Sequence, residues 1–302
     1  MDEILQRLGL NVEFPFILTT AGLIWARMLS VMSVIPFLFA KPTPRTVRVG
    51  ASMVLTVFLY PILSKNAVGL ETITTLDLFV LYLKEVLFGL SLGFMVSIIF
   101  YGFQSAGQMI DNQRGVSLAR ILIPELGEQA SITSHLLFSF AVVIFLLIGG
   151  HRMFLKALME SYLVLPILKF PPSVEGLLPL MDLFGVMTAK ILFLSVQLAA
   201  PVIISILMVD IILGVANRFA PQINVWELGF NVRGYIGILI LFLSISYIGE
   251  QVIHYTLETK QGLHQMMELM QPPPPKPPAG AQPAAPQEEE ELQAPSPVVP
   301  SP

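Results

Sequence analysis

Twenty-five consecutive residues, Val86 to Ile110, carry no charge, and the run ends abruptly on Asp111-Asn112-Gln113-Arg114-Gly115. Its first 18 residues, Val86 to Phe103, would extend about 27 Å as an α-helix, close to the thickness of a bilayer's hydrocarbon. A polar block at the end of such a run marks where a membrane segment stops. The rest of the chain agrees: 54% of its 302 residues are hydrophobic, only 13% are charged, and mean hydropathy is +0.74. A soluble globule carries about 25% charged residues, so these values predict an integral, all-helical membrane protein. With no cysteine, disulfides, zinc ribbons and thiol chemistry are excluded. The acidic start, Met1-Asp2-Glu3, lacks the basic region of a secretory leader, so no cleaved signal is expected.

Near Met270 the composition changes. Half of the chain's 24 prolines fall between Gln271 and Pro302, together with the acidic run Glu288 to Glu291, which supplies most of the net charge of −4. Such a segment has too little apolar surface to fold. The expected organisation is a helical membrane domain over 1–270 and a disordered Pro/Glu-rich tail over 271–302. No basic patch invites nucleic acid.

Six apolar stretches precede the tail: Phe14 to Ala40, Val49 to Leu63, Val86 to Phe103, Leu136 to Gly150, Ile191 to Val209 and Tyr235 to Gly249. Three hold only about 15 residues, fewer than the roughly 20 that a span requires. Pro201 is expected to kink or break the fifth. Arg27 lies at the centre of the first, where an arginine without a partner costs about 2.5 to 3.5 kcal/mol. It is either a salt-bridge partner for another helix or subunit, or part of a transport path. Lys84 and Glu85 enter the third stretch side by side and, as neighbours on a helix, are expected to bridge to other elements more than to each other. Lys190 and Asp210 bracket the fifth.

If the stretches alternate sides, nine basic residues face seven, too weak a bias to set orientation. Short, charge-interrupted segments without an orientation signal suggest a topology fixed by packing into a complex. Gly89, Gly93 and Ser97 recur every four residues and form a ridge on which another helix can approach closely. Gly229, Gly234 and Gly237 give a looser version, and Gly149-Gly150 suits a helix end. There is no Gly-x-Ser-x-Gly elbow, no His-Glu-x-x-His motif and no phosphate-binding Gly-Lys loop. His135, His151, His254 and His264 lack carboxylates at metal spacing. Neither a catalytic centre, a metal site nor a cofactor is expected.

Two polar blocks remain. The first is Ala106-Gly107-Gln108-Met109-Ile110-Asp111-Asn112-Gln113-Arg114-Gly115, followed by Pro124-Glu125-Leu126-Gly127 and Ser131; the second is Asn217-Arg218-Phe219-Ala220-Pro221-Gln222-Ile223-Asn224-Val225-Trp226. With Gly149-Gly150-His151 and Ser161-Tyr162-Leu163-Val164-Leu165-Pro166 between them, the pattern resembles the T subunit of the bacterial type III secretion export apparatus, whose flagellar relative is FliR. The resemblance covers residues 14 to 260. The Asp-Asn-Gln-Arg-Gly form is closer to the injectisome branch, associated with virulence. Leu228-Gly229-Phe230 and His151 lean to the flagellar one, and Trp226 stands where phenylalanine is usual.

What the resemblance implies is an inner-membrane subunit that joins R and S subunits, and the U switch subunit, in a helical export gate passing unfolded proteins. Gly107, Gln108, Asp111, Asn112, Gln113, Arg114 and Gly115 would then form a plug-like loop in the closed pore. The glycines would permit a sharp path, and Asp111 with Arg114 would make a reversible latch. An ordinary capped loop between helices is the alternative. In the second block, Pro221 stops a helix while Gln222 and Asn224 satisfy backbone groups in a buried turn. That block, with Asn217, Arg218 and Phe219, either docks neighbouring subunits or touches the exported chain. Asp210 is a candidate for a salt bridge with Lys190 or for proton-linked gating. From the residues alone, a secondary transporter of a small solute is the rival reading.

Overall fold

The computed structural model describes residues 14–36, 43–64, 74–116, 131–169, 174–222 and 224–269. Pro124-Glu125-Leu126-Gly127, Ile223 and the expected tail over 271–302 lie outside the described residues. Every element among those described is helical: α1 (Phe14–Val34), α2 (Arg45–Leu63), α3 (Thr75–Gln113), α4 (Ile132–Leu147), α5 (Gly150–Val164), α6 (Val174–Phe219), α7 (Val225–Leu243) and α8 (Ile245–Leu269).

The uncharged run lies inside α3, a helix of 39 residues and so roughly 58 Å in length. Thr74 and Asp77 start it as a reciprocal capping box, with the Thr74 amide donating to Asp77 at 3.0 Å. Gly89, Gly93, Gly102 and Gly107 leave room for close neighbours on several sides, and α1, α4 and α6 each pack along α3. Phe88, Phe100, Phe103, Phe145 and Phe154 fill the space between them and are wholly buried. Phe100 meets Phe145 edge to face at 5.2 Å, the arrangement favoured by the ring quadrupoles.

Helix ends depart from the apolar stretches in instructive ways. α2 begins at Arg45 and α7 at Val225, so each has 19 residues. The sixth stretch, Tyr235 to Gly249, straddles the break between α7 and α8. The shortness expected of these stretches reflected charges near their ends, and helices are terminated by caps and not by charges. α7, for example, starts at Asn224, whose side chain accepts from the Glu227 amide. The fourth stretch is shorter than a span, since α4 has 16 residues and turns through 72° into α5. Gly149 makes that turn with φ +79, a conformation other residues resist. Among the described residues five helices are thus long and apolar enough to cross a membrane, or six if the bent α4–α5 pair counts as one span.

Pro201 does not break α6, which stays helical for 46 residues. Proline removes one hydrogen bond, while Leu198, Ala199, Val202 and Ile206 are all buried on the same stretch and hold it in place. α8 owes its position to a stripe, Ile248, Val252, Thr256, Thr259, Leu263 and Met266, buried at spacings of three and four.

Candidate functional site

Two polar centres lie along α3, one near each end. At the first, Arg27 of α1 reaches Glu85 with two parallel contacts, Nε to Oε2 at 2.5 Å and Nη2 to Oε1 at 3.0 Å. Its remaining N–H groups donate to the Ser161 carbonyl at 3.1 Å, the Ser161 hydroxyl at 3.2 Å and the Leu165 carbonyl at 2.9 Å. The guanidinium also lies 4.2 Å from the Tyr162 ring and 4.9 Å from that of Phe88. Arg27 and Glu85 have no exposed surface. Every donor of this enclosed arginine is directed at protein, tying α1 to α3 and to the carbonyls at the end of α5.

Lys84 and Glu85 bridge mostly to other elements, as neighbours on a helix are expected to: Glu85 holds Arg27, and Lys84 donates to the carbonyls of Pro166, Ile167 and Lys169 at 2.9 to 3.1 Å. They also pair with each other, Nζ to Oε1 at 2.8 Å. Two cations face one carboxylate here. The surplus positive charge meets the carbonyl-rich C-terminal end of α5, where the helix dipole is negative. Below the cluster, a Cβ on Gly89 would stand 2.6 Å from the Arg27 carbonyl, and one on Gly93 3.1 Å from that of Val31. Ser97 donates to the Val34 carbonyl at 3.1 Å. The small-residue ridge therefore holds α1 against α3 within one chain.

The second centre is the polar block. Residues 107–113 are the last turns of α3 and not a loop, since the helix runs to Gln113 and the chain turns only at Arg114 and Gly115. The backbone continues helically because a partner helix begins on top of it. A Cβ on Gly107 would lie 2.4 Å from Ser134 of α4, and Asp111 supplies an acceptor to the amides that α4 leaves bare. Buried Asp111 accepts from the Thr133 amide at 3.1 Å, from the Thr133 hydroxyl at 2.5 Å and from the Ser131 hydroxyl. It is a cap supplied by another helix, with the negative charge placed at the positive end of α4's dipole. Arg114 Nη1 donates to Asp111 at 3.0 Å and to Thr133 Oγ1 at 3.2 Å. Gln108, Asn112 and Gln113 face the other way and are exposed.

The second block forms the tip of the α6–α7 hairpin. Asn217, Arg218 and Phe219 end α6, Pro221 and Gln222 turn, and Asn224 caps α7. In this chain the tip is exposed and not a buried turn: Phe219 and Trp226 keep 83% and 71% of their surface. Asp210 pairs with Arg233 of α7 at 2.5 Å, and Lys190 pairs with Glu258 of α8. A bridge between Lys190 and Asp210 is not formed; twenty residues apart on one continuous helix, they are separated by roughly 30 Å. Sequence reasoning missed Glu258 and Arg233 as their partners. It also missed a polar seam in which Gln197 donates to Tyr247 at 3.0 Å and accepts from Tyr255 at 3.0 Å. No local signal marks these residues, whose pairing exists only after α7 or α8 folds back beside α6. Among the described residues no group of three or more His, Asp or Glu converges as a metal site would require.

Comparison with known proteins places this arrangement. Residues 18–259 match the family model described as bacterial export proteins, family 1. Yop proteins translocation protein T of Yersinia pestis is 34% identical over 199 residues, 65% of this chain and 74% of that protein. The surface presentation of antigens protein SpaR of Shigella sonnei is 31% identical over 197 residues, 62% of this chain and 74% of that protein. The flagellar biosynthetic protein FliR of Escherichia coli is 28% identical over 216 residues, covering 71% and 80% respectively.

Proposed function

The chain belongs to the bacterial export proteins, family 1, and is a membrane-helical subunit of a protein-export apparatus; on that premise we propose its role in more detail. It joins R and S subunits, with the U switch subunit alongside, in a type III export gate of the bacterial inner membrane. The gate conducts unfolded proteins, and the 107–115 segment is the constriction that closes it. The subunit guides its cargo and performs no bond chemistry.

The observation that carries this reading is the division of labour at the α3 end. Asp111 is buried and tied to α4, whereas Gln108, Asn112 and Gln113 on the same turns are exposed. A pinned, rigid helix end thus presents three uncharged hydrogen-bonding side chains outward, which suits a barrier that must release without becoming a binding site. The α6–α7 hairpin supports the assembly part of the reading: its candidate spans bury only 22% and 17% of their residues within the chain, so most of its apolar surface is available to neighbours. Docking by Asn217, Arg218, Phe219, Pro221, Gln222 and Asn224 at its tip is part of this proposal. The solute-transporter alternative has no specific support, since Arg27, Glu85 and Lys84 are buried and paired within the chain.

The test is a triple variant, Q108A/N112A/Q113A, which retains helix-forming residues while removing the polar side chains. Cells carrying it are expected to leak small ions several-fold above wild type while the complex still assembles. Unchanged leak and unchanged secretion would remove the constriction role.

A further inference from the structure

Among the described residues α7 buries only Gly229, Gly237 and Leu241. The second of these faces the end of α3. A Cβ built on Gly237 would stand 2.7 Å from both Cγ and Cδ of Arg114 and 3.1 Å from its Nε, closer than carbon atoms approach without displacement. Three residues earlier on the same helix, a Cβ on Gly234 would meet nothing within 4 Å. A second contact lies beside the first: Gly115, with φ +84, would bring a Cβ to 3.2 Å from the ring of Phe230. α7 therefore touches α3's end at two consecutive residues, although its main packing is against α6.

Arg114 is the side chain that completes the polar centre, through Asp111 and Thr133. Its stem crosses Gly237, and its buried Nε finds no acceptor among the described residues, so only Nη1 hydrogen bonds and packing on α7 fix its direction. Glycine inside a helix is disfavoured against alanine. At position 237 the Arg114 stem supplies a reason for it; at 234 no such reason is visible.

We propose that Gly237 is a positioning residue: by presenting no Cβ, it seats Arg114 on Asp111 and Thr133 and thereby links the α6–α7 hairpin to the junction of α3 and α4. A displacement of the hairpin, by a neighbouring subunit or by passing cargo, moves α7 off Arg114 and loosens the cap on α4. This deepens the constriction reading and rests on it. The hairpin, which contacts its surroundings most, becomes the part that reports to the segment that closes the pore.

The experiment is a mutant cycle in the assembled complex, with G237A, R114A, the double variant G237A/R114A, and G234A as a control on the same helix. Small-ion leak, substrate secretion and complex assembly are measured for each. G234A is expected to match wild type, and G237A to leak several-fold more at wild-type assembly. The double variant is expected to leak no more than R114A alone, because the clashing stem is gone. The proposal is overturned if G237A behaves as G234A does, or if it adds the same increment with and without Arg114. If G237A blocks assembly, recovery in the double variant supports the proposal and persistent loss overturns it. Should Q108A/N112A/Q113A leave leak unchanged, the constriction reading has failed. The coupling is then judged on thermal stability of the purified chain, where a non-additive cycle supports it and an additive one overturns it.

Discussion

Arg27 and Arg233 each pair with one carboxylate at 2.5 Å, yet they belong to different kinds of structure. Around Arg27 every polar group is answered inside the chain, by Glu85, by Ser161 and by the carbonyls that follow α5. Around Arg233 and Asp210 about a third of each side chain stays exposed, on a hairpin whose apolar faces are largely uncovered. The first region is complete as it stands. The second leaves most of its apolar surface uncovered within the chain, so ionic contacts of equal length sit in opposite surroundings in the two places.

That contrast is open to attack, beginning where the effect is largest. Removing one partner from a fully buried pair leaves an uncompensated charge and costs about 3 to 5 kcal/mol. E85A, which strands both Arg27 and Lys84, is therefore expected to abolish accumulation of the chain, read by immunoblot of membranes, whereas R27A leaves Glu85 its Lys84 partner and is expected to lower it less; normal levels in E85A would mean the cluster is not a brace. Next come the close approaches on α3. G107A forces a Cβ against the α4 backbone and is expected to cost about 1 to 3 kcal/mol, seen as a lower unfolding temperature in detergent. D111A should act at the same junction, leaving the Thr133 amide without its acceptor for about 1 to 3 kcal/mol. Rescue of D111A by a local asparagine, D111N, would show that hydrogen bonding and not charge is what α4 needs. At the small end, D210N or R233Q breaks a partly exposed pair worth up to about 1 kcal/mol, and the unfolding temperature of the isolated chain is expected to change little. A large drop there would erase the distinction between the two regions.

How much of this the sequence disclosed depends on how far apart the cooperating residues lie. The membrane class, the helical fold and the ridge at Gly89, Gly93 and Ser97 rest on local composition and spacing, and they were legible. The polar blocks fall at the end of α3 and at the tip of the α6–α7 hairpin, but Gly107 to Gln113 read as a loop because polar residues at the end of an apolar run resemble a helix stop. What keeps them helical is α4, packed on Gly107 from 24 or more residues away along the chain. In the same way the acceptors of Lys84 could not be read locally, since the carbonyls after α5 that it meets lie more than 80 residues further on. Ser161 and Thr133 were invisible as site residues because serine and threonine are common and carry no spacing signature. Glu258 and Arg233 were missed for a related reason, each being an ordinary surface charge until a second helix folds beside it.

The central claim is that the uncovered hairpin is finished by partner subunits and not by lipid, and its most direct measurement is site-specific photocrosslinking in whole cells from Phe219 and Trp226. The account predicts adducts with the R or S subunits that vanish when those subunits are deleted, while crosslinkers at buried Phe88 label only the chain itself. Labelling of lipid alone from both tip positions, in cells where the gate is assembled and secreting, would contradict it.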